Sequence, residues 1–539
     1  MQWYANAIFY ELYLRAFADG NGDGHGDFVG LRQKLEYLEW LGVDCIWLLP
    51  FYPSPLKDDG YDIASYYSIN PTFGYLEDFS RVVEEIHQRG MRVITDLVVN
   101  HTSDQHPWFQ EARRSPNSPL RDYYVWSKTP DKYSAARIIF LDTEQSNWAY
   151  DETSREYYWH RFYSHQPDLN YDNPAVKAAL LEVMKFWLNL GIDGFRADAV
   201  PYLFEREGTN CENLPETHAQ LREMRRFVDA HYPGTLLLAE ANQWPRDLLP
   251  YFGSGDEFQV CFHFPIMPRL YMALARQDRS CVVEILADTP AIPEGCQWAT
   301  FLRNHDELTL EMVTPEERAF MWDFYAPDPR QRLNLGIRRR LAPLLGNDRR
   351  KIELLHSILF TLPGAPTLYY GDEIGMGDNI ALPDRNGVRT PMQWTDGLNA
   401  GFSPAAVTDL YLPIIDDLTY GYQRVNVQSQ LVDNHSLLNT IRRMIHTRKQ
   451  LPVLAEGKLE WLANLPPYAL CFWRTSAERA VLALHNLSDR QLEVPLPENR
   501  HFIDAFSGDN VYGTVALNTY GYRWLIPCAG FSDDGTRCG

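Results

Sequence analysis

No stretch of this sequence stays apolar for the roughly 20 residues that a bilayer-spanning helix needs, so no membrane partner is expected. The first residues, Met1-Gln2-Trp3-Tyr4-Ala5-Asn6, lack the basic start and apolar core of a secretory signal. Cysteine is scarce: eight in 539 residues (Cys45, Cys211, Cys261, Cys281, Cys296, Cys471, Cys528, Cys538), with no CxxC among them. That is too sparse for a disulfide scaffold and reads as reduced thiols in a cytoplasmic protein. Positive charge is also short. Fifty Lys and Arg stand against 71 Asp and Glu, a net charge of −21, which would repel a phosphate backbone and excludes nucleic acid as an expected partner. No GxGxxG follows a strand, and there is no P-loop or nucleophile elbow. No organic cofactor is therefore expected.

Aromatic residues are plentiful: 15 Trp, 31 Tyr and 26 Phe. Such rings pack on sugar faces, but they also fill cores, so composition alone does not choose. Hydrophobic residues at 45% and charged residues at 22% are globular values. At about 150 residues per domain the length allows three or four domains, or one large barrel with additions.

The patterning favours the barrel. Strands are predicted at 7–12, 45–50, 92–99, 194–198, 235–240, 298–302 and 366–370, with helices at 31–41, 79–89, 176–190 and 217–231 between them. Gly42 and Gly90 stand where helix-closing glycines belong. Apolar strands alternating with helices are parallel strands buried on both faces. The reading is an α/β fold, a (β/α)8 TIM barrel over 1–100 and 174–450. A loop-rich subdomain is inserted at 101–173, a charged, irregular second insertion at 308–350, and a C-terminal antiparallel β-sandwich domain at 451–539. A doubly wound sheet is the alternative.

In a barrel, polar residues at the C-terminal ends of strands carry the chemistry. Asp96, Asp198, Glu240 and Asp306 all fall at or just after predicted strand ends, beside Arg196, His101 and His305. One such Asp is more often a cap or an ion pair; four in barrel order are not. Two carboxylates facing one anomeric carbon can perform retaining glycoside chemistry, one attacking C1 and one protonating the leaving oxygen. Separately, Asp19-Gly-Asn21-Gly-Asp23-Gly-His25-Gly-Asp27 sets oxygen side chains at alternate positions, a pattern suited to Ca²⁺. It is not an EF-hand, because Gly30 occupies the twelfth position. His106, His160 and His165 have no zinc spacing and read as polar packing.

The segments Asp96-Leu-Val-Val-Asn100-His101, Gly194-Phe-Arg196-Ala-Asp198, Leu-Leu-Ala-Glu240 and Asn304-His305-Asp306 resemble the conserved regions of the α-amylase (glycoside hydrolase 13) superfamily, nearly along the whole chain. The resemblance implies Asp198 as nucleophile, Glu240 as general acid/base and Asp306 as the carboxylate that stabilises the transition state. It implies sugar contacts from His101 and His305, a supporting role for Arg196 in keeping the nucleophile ionised, and a grip on the non-reducing glucose by Asp58 and Tyr61. Arg389, in Val388-Arg389-Thr390-Pro391, matches an arginine near the same ring; a structural ion pair is its other reading. The resemblance also implies one or two structural Ca²⁺ sites. Asp19, Asn21, Asp23 and Asp27, with the His25 carbonyl, would form one. Asn100, Asp168 and Glu205, with the carbonyls of Tyr202 and Leu203, would form the other.

Longer strings narrow this. Trp3 to Leu12, Thr102 to Phe109, Arg137 to Glu144 and Tyr157 to Asn170 resemble the trehalose synthase (maltose α-D-glucosyltransferase) family. The implied reaction is intramolecular transglucosylation between maltose and trehalose through a glucosyl-Asp198 intermediate, with some side hydrolysis to glucose. An α-glucosidase or amylase-type hydrolase of short α-glucans is the alternative. A barrel serving only as a binding subunit would be expected to lack one of the three carboxylates, and all three are present. The expected partner is a disaccharide; a homo-oligomer is compatible with the sequence. Closure over the sugar is expected from the insertions at 101–173 and 308–350.

Overall fold

A computed structural model describes residues 2–497 and 500–528; Cys538 lies outside the described residues. Eight parallel strands close into a barrel: β1 (Phe9–Leu12), β2 (Cys45–Leu48), β3 (Arg92–Val98), β4 (Gly194–Asp198), β5 (Leu236–Ala239), β6 (Val260–Phe262), β7 (Gln297–Phe301) and β8 (Ala365–Tyr369). They follow one another around the barrel in chain order, with β8 pairing β1. Every residue of β2, β4 and β5 is buried, as strands covered on both faces require.

Seven of these strands lie where the apolar runs predict them. β6 was not expected. Its three residues sit in a buried stretch that leads within four residues into the helix Ile266–Arg276, so no change of period marks it off. The single helix expected at 31–41 is two, Phe28–Gln33 and Leu35–Leu41, broken at Lys34. Asp27 caps the first by accepting from the Gly30 amide. Gly42 closes the second at φ 100°, a conformation that favours glycine.

The segment 101–173 carries the helix Pro107–Ala112 and a three-stranded antiparallel sheet (126–127, 148–151, 156–159). Trp148 and Trp159 pack there with Ala136 and Cys211. The segment 308–350, expected to be irregular, contains the helix Pro315–Tyr325, started by a capping box of Thr314 and Glu317. Its aromatic residues are split between core and solvent, which hides the helical period.

After residue 457 the chain is antiparallel β. Strands β9 (Lys458–Trp461), β10 (Ala469–Thr475) and β11 (Ala480–Asn486) belong to a six-stranded sheet, and a two-stranded sheet at 492–495 and 514–517 covers it through Leu492, Val494, Val515 and Leu517. This layer docks on the helix Arg349–Thr361, where Ser357 Oγ lies 2.9 Å from His485 Nε2 and accepts from Trp524 Nε1 at 2.8 Å. Among the described residues, no helix is long and apolar enough to cross a membrane.

Candidate active site

The C-terminal mouth of the barrel gathers the sequence-predicted acids. Asp96 and Arg196 are register partners on β3 and β4, as are Val98 and Asp198, so inward-facing residues stack in two levels. Arg196 is fully buried and serves three carboxylates. Its Nη1 lies 2.5 Å from Asp96 Oδ1 and 2.6 Å from Asp198 Oδ1, and its Nη2 lies 2.5 Å from Glu240 Oε1. One planar guanidinium thus fixes the two expected catalytic groups relative to each other. Glu240 follows β5 directly, and its Oε2 accepts from the Ala199 amide at 3.2 Å. Ala199 holds a left-handed backbone at φ 52°.

Burial pushes both groups up, but to different levels. Asp198 is raised to about 6, with Arg196 opposing the desolvation. Glu240 is raised to about 8: burial leads, Arg196 opposes it, and the nearby Asp198 and Asp306 charges add to it. At neutral pH the first is ionised and the second carries its proton, the division that a nucleophile and a general acid need. Burial also acts on Asp306, but His305, Arg385 and Arg389 outweigh it and hold that carboxyl well below its ordinary value. Asp306 Oδ1 lies 2.9 Å from Arg385 Nε and 3.0 Å from Arg389 Nη2.

Asp58, Tyr61, His101, Asp198, Glu240 and Asp306 line one cavity of about 140 Å³. Arg196, His305 and Arg389 stand behind that wall. His305 stacks on Tyr61 at 5.3 Å between ring centroids. Arg389 is a buried ion-pairing group, with Asp59 Oδ2 at 2.5 Å from Nη1 and Asp306 on Nη2. This ion pairing is the structural reading left open for it. Asp96 likewise sits below the cavity, where Trp47 Nε1 donates to it at 2.7 Å. Both ring nitrogens of His101 are buried without a hydrogen-bonding partner.

The remaining lining was not anticipated. Ile139, Phe140 and Phe162 come from the first insertion, Glu307, Thr309 and Glu311 from the segment after β7, and Arg385 from the loop after β8. Arg385 Nε also donates to Glu307 Oε2 at 2.8 Å, its Nη1 reaches Tyr163 Oη at 3.3 Å, and its guanidinium lies 4.9 Å from the Phe140 ring centre. The available signal was its position four residues before Arg389. Arg137 of the first insertion reaches Glu311 at 2.7 Å, and Asn334 of the second donates its backbone amide to Asp142 at 2.8 Å.

Among the described residues, no group of three or more His, Cys, Asp or Glu is arranged to hold a metal ion. The two sites implied by resemblance differ. In the 19–27 loop the carboxylates are engaged by donors of the protein itself. Asp19 accepts from the amides of Asn21, Gly22 and Gly24 and from Ser403 Oγ. Asp27 accepts from the amides of Gly20, Asn21 and Gly30. With about four acceptor positions per carboxylate, Asp19 is saturated and does not fit a cation as placed. The second set fits better: Asn100 Oδ1, Asp168 Oδ2 and Glu205 Oε1 are buried without a hydrogen-bonding partner. Desolvation raises Asp168 to about 8 and pushes Glu205 well above its usual range, with the Asp168 charge adding to the latter.

Comparison with known proteins follows the same line. The α-amylase catalytic-domain profile matches residues 11–320 and 338–457. Trehalose synthase/amylase TreS of Mycobacterium tuberculosis is 59% identical over 493 residues, covering 90% of this chain and 82% of that protein. Trehalose synthase of a Pimelobacter species is 56% identical over 500 residues, covering 90% and 87%. The crystal structure of trehalulose synthase MutB from Pseudomonas mesoacidophila superposes with a TM-score of 0.81 at 28% identity, covering 98% of this chain and all of that one.

Proposed function

The chain belongs to the α-amylase family, and we propose that within it the protein is a sugar isomerase that interconverts maltose and trehalose. The observation that carries this reading is that Asp198, Glu240 and Asp306 line one cavity in a chain 56–59% identical to trehalose synthases over nine-tenths of its length.

Asp198 attacks C1 of the non-reducing glucose while Glu240 gives its proton to the departing oxygen. This leaves a glucosyl ester on Asp198 and a free glucose. That glucose turns in place, and its anomeric hydroxyl attacks C1 of the glucosyl ester, releasing the Asp198 carboxylate, as Glu240 takes the proton back. Two inversions keep the α configuration. Asp306, held ionised, supports the positive charge that develops on the ring. Asp58, Tyr61 and His101 line the glucosyl subsite. Arg196, His305 and Arg389 act through the carboxylates they hold. Phe140, Phe162, Glu307 and Arg385 surround the glucose that turns.

Water competes with the second attack, so the cavity has to stay closed while the ester exists. The Arg137–Glu311 and Asp142–Asn334 contacts join the two insertions over the site and support that closure. A Ca²⁺ ion fits the buried oxygens of Asn100, Asp168 and Glu205 at the root of the first insertion. There it would neutralise two carboxylates and hold that insertion to the barrel. A cation in the 19–27 loop would have to displace donors from Asp19. Free thiols at Cys45, Cys211, Cys261, Cys281, Cys296 and Cys471 support a cytoplasmic setting.

Incubation with maltose alone, followed by sugar analysis, tests the reading. Trehalose with little glucose is expected. Glucose without trehalose would mean a hydrolase instead.

A further inference from the structure

Beneath the site lies a carboxyl group that the reaction above does not use. Glu11, on β1, is fully buried. Its Oε1 lies 3.0 Å from the His305 backbone nitrogen and 2.5 Å from His305 Nδ1, while Oε2 has no hydrogen-bonding partner. Among the described residues no lysine or arginine forms an ion pair with it; its one ion-pairing contact is His305.

The other ring nitrogen of His305 constrains what this contact is. Nε2 lies 3.2 Å from Asp306 Oδ2 and 2.9 Å from Tyr61 Oη. An ionised carboxylate only accepts. Tyr61 directs its own hydroxyl proton to Asp96 Oδ1 at 3.3 Å, which leaves its oxygen to accept as well. Nε2 therefore carries a proton. In a neutral imidazole Nδ1 is then bare, and Glu11 Oε1 is the atom that faces it. That one oxygen has to accept from the His305 backbone N–H and donate to Nδ1. The hydroxyl of a protonated carboxyl group can do both.

We propose that Glu11 is a positioning residue: kept as the neutral acid, it fixes His305 in the Nε2–H form, which in turn holds Asp306 ionised and aimed at the sugar. The proposal deepens the reading given above for Asp306 and rests on it. Burial acts in the same direction, pushing Glu11 well above its usual range and His305 well below its own. A neutral acid also avoids adding an uncompensated charge to the barrel interior beside the paired carboxylates of Asp96 and Asp306.

Glu11→Gln is the discriminating variant, because it has nearly the same shape but cannot make both contacts through one atom. An amide oxygen would accept from the backbone N–H and draw the ring proton to Nδ1. An amide nitrogen has no lone pair for the backbone N–H. The expected result is a fall in kcat on maltose of at least ~10-fold with KM little changed, as for a catalytic histidine locked in the wrong tautomer. A merely structural role would leave kcat intact in this variant.

The second measurement uses the wild-type protein and needs no activity. With ¹⁵N-labelled histidine, the His305 ring is assigned by its loss in His305→Gln, and it is expected to show a protonated Nε2 and a bare Nδ1. In Glu11→Gln the order should reverse. A wild-type ring protonated at Nδ1 overturns the proposal, and so does Glu11→Gln with unaltered tautomer and kcat. Because the spectrum is read without turnover, a protein that shows the expected tautomer but makes no trehalose would count against the proposed function and not against the role of Glu11 on His305.

Discussion

Arg137 Nη1 and Glu311 Oε2 meet at 2.7 Å, although they belong to two insertions separated in the chain by four of the eight barrel strands. Glu311 lines the cavity, and Ile139 and Phe140 follow Arg137 along the opposite wall. Arg137 is anchored on its own side by Glu212, 2.8 Å from Nε. The pair is partly exposed, at 37% and 19% of the side chains, so its worth to global stability is only about 0–1 kcal/mol. That is small against unfolding, but enough to shift an equilibrium between two conformers that lie only a few kcal/mol apart.

Arg137→Ala or Glu311→Gln should therefore leave the melting temperature nearly unchanged and raise the ratio of free glucose to trehalose about three- to tenfold, the factor that roughly 1 kcal/mol of lost closure allows. Sugar analysis after partial conversion of maltose reads this directly. A ratio equal to wild type in both variants would show that this contact does not keep water out.

The two expected catalytic carboxylates on Arg196, Asp198 and Glu240, should separate in their response to the leaving group. Asp198→Ala is expected to lose at least ~10³-fold in turnover with any glucosyl donor, since no covalent intermediate can form. Glu240→Gln should lose about 10²–10⁴-fold on maltose. With an aryl α-glucoside, whose leaving group needs no proton, most of the first half-reaction should return as a burst of phenolate. No recovery with that donor would take Glu240 out of the acid role.

Much of the barrel was legible because strands covered on both faces are continuous apolar runs, and seven of them stand out from the helices around them. The site was legible for a related reason. Glu240 ends such a run as a single charge, and Asp198 ends one that also carries Arg196, where apolar residues would be expected. β6 was missed because its apolar run continues into a helix. Arg385, Phe140 and Phe162 were missed because they ride on loops, whose approach to the mouth depends on tertiary contacts and leaves no period in the sequence. Glu11 and Asp96 are different: each is a lone acid inside an apolar strand, a visible conflict between local pattern and burial. In β1 that conflict marks the place where the barrel floor meets His305.

The pH dependence of kcat/KM follows from the two displaced carboxyl groups. Asp198 has to be ionised to attack, so activity falls as pH drops through about 6. Glu240 has to be protonated to donate, so activity falls as pH rises through about 8. Both shifts come first from burial, and the two limbs belong to the pair as a unit. A bell centred near neutrality is expected, and Glu240→Gln should remove its alkaline limb. An alkaline limb that persists in that variant would assign it to another group.

Calcium should stabilise the fold, and more strongly at higher pH. Asp168 in the folded protein is raised to about 8 from an ordinary value of 3.8, chiefly by desolvation, and Glu205 is pushed the same way. With folded values above unfolded ones, the folded state binds more protons between those limits. The metal-free protein therefore loses stability as pH rises from about 4 towards 8. A cation takes the place of those protons, so its affinity rises over the same interval. Addition of millimolar Ca²⁺ to chelator-treated protein should raise the melting temperature by several degrees at pH 8 and by less at pH 5.5. Asp168→Asn with Glu205→Gln should abolish the increment while melting close to the metal-free wild type, because the variant replaces two buried acids with neutral groups of the same size. An increment that survives this double substitution would move the ion away from Asn100, Asp168 and Glu205, and the same measurement on Asp23→Asn would show whether the 19–27 loop holds it instead.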